Sequence, residues 1–204
     1  MDPLKDKVVL VVDDEPDVLD TVAEELDMCV VHKAQDFTTG LQYILSFTYD
    51  VVILDIMGVN GFELLRNAVS RGFPAVMLTA HAVTPEALKK SIKLGAVSFL
   101  PKERISDLRE FLAEVVVNGH KPLWIKVFDK LGAYFNKRFG PDWKERDHFF
   151  KEFEESLRKS EEEQTGAESP DATGERRTAR RVGDHAMEER TPESDVGRDR
   201  SGGG

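Results

Sequence analysis

Three carboxylates, a hydroxyl and an amine stand at the ends of short apolar runs in this 204-residue chain. Asp13 and Asp14 follow VVLVV, Asp55 follows VVIL, Thr79 closes AVMLT and Lys102 follows AVSFLP. Carboxylates converging in one crevice repel one another, which costs stability unless a cation sits among them. Mg²⁺ suits such a set, because it takes oxygen ligands, keeps several waters and pairs with phosphate oxygens. A carboxylate beside the metal can attack phosphorus and form an acyl phosphate. Phosphoryl transfer needs chiefly positioning and charge neutralisation, which the metal, Lys102 and a hydrogen bond from Thr79 would supply. Taken singly, the residues say little. Asp14 could cap the helix that begins near Pro16, Thr79 could be a turn residue and Lys102 a solvated surface lysine.

A parallel sheet would bring them together. β-Branched runs start at Val8, Cys29, Val51, Ala75 and Ala96, at spacings of 21 to 24 residues. Between them lie helix-length stretches with apolar residues three and four apart, such as Val18, Val22 and Leu26. The pattern reads βαβαβαβαβα, with the fifth helix predicted from Ile105 to Val117 and stopped by Asn118-Gly119. Continuous apolar strands imply burial on both faces, and right-handed crossovers then give a doubly wound α/β sheet. Such sheets bind ligands beyond the carboxyl ends of their strands, where the five polar residues stand.

The net charge of −10 argues against a general binder of nucleic acid or anionic membrane. It is unevenly spread: residues 1–120 carry −8, 121–160 carry +3 and 161–204 carry −5. Nine aromatic residues fall in 121–160 and none after Ser160. Three segments follow: a sheet domain over 1–119, an aromatic-rich amphipathic helical extension over 120–160, and a tail over 161–204 too polar to offset the entropy of ordering. The single Cys29 cannot form an internal disulfide, and Asp2, Lys5, Asp6 and Lys7 occupy the place of a signal peptide's apolar stretch. A cytoplasmic setting is the expectation.

Through VVLVVDDEPD, VVILDIM, MLTAH and GAVSFLPK, residues 6–118 resemble the receiver domain of bacterial two-component response regulators. The resemblance implies a flavodoxin-like sheet of order 2-1-3-4-5 and phosphotransfer from a sensor histidine kinase to Asp55, with Mg²⁺ as cofactor. It further implies that Asp14 binds the metal directly, Asp13 through water and Met57 through its backbone carbonyl. Thr79 and Lys102 would contact the phosphoryl group, and Phe99 would be the aromatic that rotates on activation. Met57 and His81, each two residues beyond a site residue, would tune the phosphoryl lifetime. The protein would then be a phosphoacceptor that catalyses its own phosphorylation and dephosphorylation. A phosphorelay intermediate is the alternative. An aspartate-nucleophile phosphatase would want Asp-x-Asp after strand one where this chain has Asp13-Asp14, and no glycine-rich phosphate loop follows that strand.

The chain departs from the family pattern in three places. The loop IMGVN between Asp55 and Gly61 is two residues short and lacks proline, Pro101 precedes Lys102 where the family places proline after it, and Phe99 lacks the usual tyrosine hydroxyl. Beyond the receiver, 121–160 is too short for a winged helix and no DNA-binding domain is evident. Trp124, Val127, Phe128, Leu131, Tyr134 and Phe135 share one helical face, and Phe150, Phe153 and Leu157 a second, so this segment reads as a helical hairpin. Packing against the receiver is the economical solution. A homodimer or a downstream protein target is the second option, and contact with a membrane surface is the weakest of the three.

Overall fold

A computed structural model describes residues 2–80, 83–119 and 121–166. His81, and residues 167–204 of the expected tail, lie outside them. Among the described residues, five parallel strands, β1 (Val8–Val12), β2 (Val30–Ala34), β3 (Val51–Leu54), β4 (Ala75–Thr79) and β5 (Ser98–Pro101), form one sheet of order β2-β1-β3-β4-β5. The doubly wound sheet expected from the spacing of the apolar runs is thus present, in the order the resemblance implied. Helices α1 (Pro16–Glu25), α2 (Phe37–Ser46), α3 (Gly61–Ser70) and α4 (Pro85–Lys93) make the crossovers, and with α5 (Leu108–Asn118), which follows the last strand, they flank the sheet. Every residue of β3 and β4 is buried, which is why those runs are apolar without alternation.

Two strands begin later than their apolar runs. The Cys29 amide donates to the Leu26 carbonyl and closes the turn after α1, so β2 starts at Val30. Ala96 likewise donates to Ser91 in the turn at Gly95, where φ is +89°, and β5 starts at Ser98. The fifth helix is shorter than predicted at its start: a 3-10 segment, Lys102–Asp107, broken at Arg104, precedes α5.

The extension forms three helices where two were expected: α6 (Trp124–Phe139), α7 (Trp143–Arg146) and α8 (His148–Gly166). Asp147 is extended and separates the last two. Its carboxylate accepts from the Phe149 amide at 2.9 Å and from Lys89 Nζ at 3.0 Å, so it caps α8 and ties it to α4. Helix α8 continues to Gly166, past the last residue of its apolar stripe.

Of the three options for this segment, packing against the receiver is the one observed. Trp124, Val127, Phe128, Leu131, Phe135, Trp143 and Phe150 join the same buried core as the sheet. Trp124 Nε1 donates to the Ala96 carbonyl at 2.9 Å, and Phe135 meets Phe99 of β5 edge to face at 6.5 Å between centroids. Salt bridges from Lys126 and Lys130 to Glu114, and from Lys130 to Glu110, tie α6 to α5. Among the described residues no helix is long and apolar enough to cross a membrane. Trp124→Phe removes the indole donor and leaves a buried carbonyl unpaired, a cost of about 1–3 kcal/mol. Its urea midpoint should fall accordingly, and an unchanged midpoint would mean that Trp124 does not anchor α6.

Candidate functional site

Strand register does the assembly. Val12 stands opposite Leu54 in the β1–β3 pairing, so the residues that follow, Asp13 and Asp55, emerge side by side. The Asp55 amide donates to the Val12 carbonyl at 2.9 Å, which carries the pairing up to the site. Thr79 stands opposite Pro101, so Lys102 leaves β5 next to it. Asp13, Asp55 and Thr79 are buried, at 0%, 4% and 0% exposure, and Asp14 is exposed at the rim. One carboxylate oxygen from each of Asp13, Asp14 and Asp55 lies within 4.8 Å of the others.

Lys102 is the cation among them. Its Nζ lies 2.7 Å from Asp13 Oδ2, 2.8 Å from Glu15 Oε1 and 3.8 Å from Asp55 Oδ2. The reversed order of Pro101 and Lys102 therefore does not remove the lysine from the site: Pro101 closes β5 with φ −65° and ψ 140°, and Lys102 begins the 3-10 segment facing the carboxylates.

Charge sets the chemistry. Asp13, Asp14, Glu15 and Asp55 against Lys102 leave a formal excess of three negative charges. Two like charges about 4 Å apart cost roughly 4 kcal/mol at an effective dielectric of about 20. Burial pushes the Asp55 carboxyl above the ordinary carboxylate value, with the Lys102 charge pulling the other way. Asp13 is raised too, again by burial, against the pull of its close ion pair with Lys102. For Lys102, burial favours the neutral amine, but its close pairing with Asp13 and Glu15 outweighs it and the ammonium is held above its usual value.

Asp55 Oδ1 and Thr79 Oγ1 are buried with no aligned hydrogen-bond partner, although the hydroxyl is near enough to favour the Asp55 carboxylate. Asp13 Oδ2 has its ion pair with Lys102 but no aligned hydrogen bond. Buried polar atoms left in this condition mark a place that a ligand completes. The donor set is all oxygen, two carboxylates are buried and one is open to water, and the charge excess exceeds that of one divalent cation. Mg²⁺ fits on each count, with Asp13, Asp14 and Asp55 as the residues that would hold it.

The short loop is accommodated by its glycines. Gly58 has φ +66°, and a Cβ there would lie 2.3 Å from the Asp14 carboxylate. A Cβ on Gly61 would lie 1.7 Å from the Asp55 carbonyl oxygen, and Asn60 between them has φ +53°. The chain turns beneath the site by close backbone approach, with no proline needed. The Met57 carbonyl accepts from the Val59 amide in that turn, so only its second lone pair remains for a metal. The Met57 side chain is exposed, and Phe99 is fully buried on β5 beneath Phe135. Asp14 does not cap α1; Glu15 holds the N-cap position without a capping hydrogen bond, and its amide donates to Asp13 Oδ1 at 3.0 Å.

Sequence reasoning missed Glu15 as a partner of Lys102, and Gly58 and Gly61 as the residues that let the loop pass. The glycines were visible, Gly58 in the loop after β3 and Gly61 as the first residue of α3; nothing in the sequence pairs Glu15 with a lysine 87 residues away.

Gly58→Ala should weaken Mg²⁺ binding by about 10- to 100-fold in calorimetric titration, as for other changes that displace a metal ligand's support; unchanged affinity would remove Gly58 from the site. A group whose folded pKa is raised gives stability below its unfolded pKa and loses it as pH rises through the folded one. Without metal, Asp55→Asn should therefore melt above the parent at pH 7, the gap closing as pH falls below the raised Asp55 value. A lower melting temperature for the variant at pH 7 would contradict the crowding argument.

Comparison with known proteins follows the same residues. A family model described as "Response regulator receiver domain" matches residues 9–113. A probable transcriptional regulatory protein, SilR, of Salmonella typhimurium is 39% identical over 77 residues, 36% of this chain and 33% of that protein. A protein-glutamate methylesterase/protein-glutamine glutaminase of Nitratidesulfovibrio vulgaris is 36% identical over 125 residues, 52% of this chain and 34% of its own. The chain thus spans about a third of the length of these two curated relatives. Among solved structures, a CheY-like receiver domain protein from Methanospirillum hungatei superposes with a TM-score of 0.52 at 26% identity. That match covers 56% of this chain and 96% of the other. Chemotaxis protein CheY4 of Vibrio cholerae gives 0.50 at 28% identity, over 54% of this chain and 98% of its own.

Proposed function

The chain belongs to the response regulator receiver domain family, and from that premise we propose that it receives a phosphoryl group on Asp55 from a sensor histidine kinase and signals through protein contacts. Asp13, Asp14 and Asp55 form the magnesium site of the receiver, a phosphoacceptor and signalling module. The observation that carries the assignment to Asp55 is its Oδ1, buried and unpartnered beside Lys102 and Thr79.

A carboxylate oxygen of Asp55 attacks the phosphorus, forming a P–O bond as the P–N bond to the donor imidazole breaks. The electron pair of that bond goes to the imidazole nitrogen, which takes up a proton. When bound, the magnesium ion neutralises charge on the phosphoryl oxygens and on the carboxylates around them. Lys102 supplies the protein's own positive charge, and the Thr79 hydroxyl donates to a phosphoryl oxygen. Asp13, Asp14 and Asp55 would hold the metal, with the free lone pair of the Met57 carbonyl as a further oxygen donor. Burial of Asp55 limits the water that reaches it, so hydrolysis is controlled by the exposed Met57 side chain and by His81, two residues beyond Thr79 in the sequence. Phe99 takes part in the change of state through its packing, since it has no hydroxyl to exchange.

Output runs through protein surfaces, toward a downstream target or a second copy of the chain. The basic α6 and the helices after it are the segment that this chain adds beyond the receiver.

Incubation with Mg²⁺ and acetyl phosphate should add one phosphoryl group to the intact chain by mass spectrometry. Asp55→Asn or removal of the metal with EDTA should abolish the gain. An unchanged gain in Asp55→Asn would sink the assignment.

A further inference from the structure

Helices α6–α8 grip the chain beside each residue that a phosphoryl group on Asp55 would engage. Arg138 Nε on α6 donates to the carbonyl of Val83 at 3.0 Å, four residues beyond Thr79. One turn earlier on α6, the Tyr134 hydroxyl donates to Glu103 Oε2 at 3.3 Å, immediately after Lys102. Phe135, between these two in sequence, covers Phe99, and both rings are fully buried. Behind them, Lys89 of α4 is bound by both oxygens of Asp147 at 3.0 Å, and Lys89 and Lys93 lie over the Phe149 ring at 5.1 and 5.2 Å. One helical unit thus contacts the loop after β4, the residue after Lys102, the side chain of β5 and helix α4.

The present contacts belong to an arrangement that cannot serve a phosphoryl group. Lys102 is committed to Asp13 and Glu15 and stands 3.8 Å from Asp55, and Thr79 Oγ1 has no aligned partner. Binding a phosphoryl group requires Lys102 to exchange one of its carboxylates and the Thr79 hydroxyl to align on the incoming group. Both movements take place beside contacts made from α6: Arg138 holds the Val83 backbone beyond Thr79, and Tyr134 holds the side chain of Glu103, next to Lys102. Packed cores pass such shifts on as a change between discrete arrangements, because they do not deform continuously. We infer that α6–α8 form an intramolecular latch that holds the unphosphorylated arrangement and loosens from β5 and α4 when Asp55 is phosphorylated. This inference rests on the phosphoacceptor reading of Asp55.

Linkage makes the latch testable from both ends. If phosphorylation loosens the latch, loosening the latch must favour the phosphorylated arrangement by the same factor. Beryllofluoride with Mg²⁺, a phosphoryl mimic, is the probe, on the full chain. The two tryptophans, Trp124 and Trp143, are both buried in the α6–α8 unit, so intrinsic fluorescence reads the latch without a label. Acrylamide quenching should rise when beryllofluoride binds the parent chain and stay unchanged in Asp55→Asn. Tyr134→Phe combined with Arg138→Gln and Lys89→Met, none of which touches the phosphoryl site, should bind beryllofluoride about 5-fold more tightly or better, at the lower end of ordinary coupling. Tyr134→Phe alone, which removes one oxygen, should shift affinity in the same direction and guards against a triple variant that folds poorly. Beryllofluoride binding with unchanged quenching, or with equal or weaker affinity in the variants, would overturn the latch and leave the phosphoacceptor reading intact. Absence of beryllofluoride binding to the parent chain would overturn both.

Discussion

Everything at the functional end of this molecule depends on holding four carboxylates around one ammonium. Asp13 and Asp55 are buried, Asp14 and Glu15 stand at the rim, and Lys102 bridges Asp13 and Glu15 while remaining 3.8 Å from Asp55. Such a cluster is under-neutralised, and burial adds to the strain by raising the carboxyl pKa values of Asp13 and Asp55. The sheet tolerates it because the four strands that contribute are apolar apart from Thr79 and Ser98 and pair in fixed register, so the cost is confined to one edge. A site that is incomplete in charge and in hydrogen bonding is primed for a cation and an anionic group together. That is the requirement of magnesium-assisted phosphoryl transfer.

Much of this was legible in the sequence, for reasons that can be named. Buried parallel strands must be apolar on both faces, so VVLVV, VVIL and AVMLT announced themselves, and chain direction then placed Asp13, Asp55 and Thr79 at one edge. Strand order followed from the resemblance more than from the pattern. The less legible parts depended on backbone detail. The loop from Ile56 to Asn60 works through positive φ at Gly58 and Asn60 and the absence of a Cβ at Gly61, which composition hints at but cannot place. Lys102 followed by Glu103 could have altered the local path, and only the geometry shows the lysine reaching Asp13. Asp147 caps α8 through the nearby Phe149 amide, and its pairing with Lys89 is a contact 58 residues apart that no local pattern announces.

The aromatic extension shows why a hydrophobic stripe by itself leaves its partner open. Nine aromatics in forty residues had to be covered, and receiver, second copy and target were all suitable. The structure places Trp124 and Phe135 against β5, and Phe128, Trp143 and Phe150 against one another. Phe99 therefore has a neighbour from outside the receiver, and the position where the family more often carries a tyrosine is here part of a continuous core with α6.

The measurement that bears most directly on this account is chemical mapping of the phosphorylated residue. Borohydride reduces an acyl phosphate on aspartate to homoserine, and fragment mass spectrometry then locates it in the chain. Homoserine at position 55, formed only when Mg²⁺ was present during phosphorylation, is the result expected. Homoserine at Asp13 or Asp14, or a phosphoryl group on a residue that borohydride leaves unchanged, would contradict the assignment of the nucleophile.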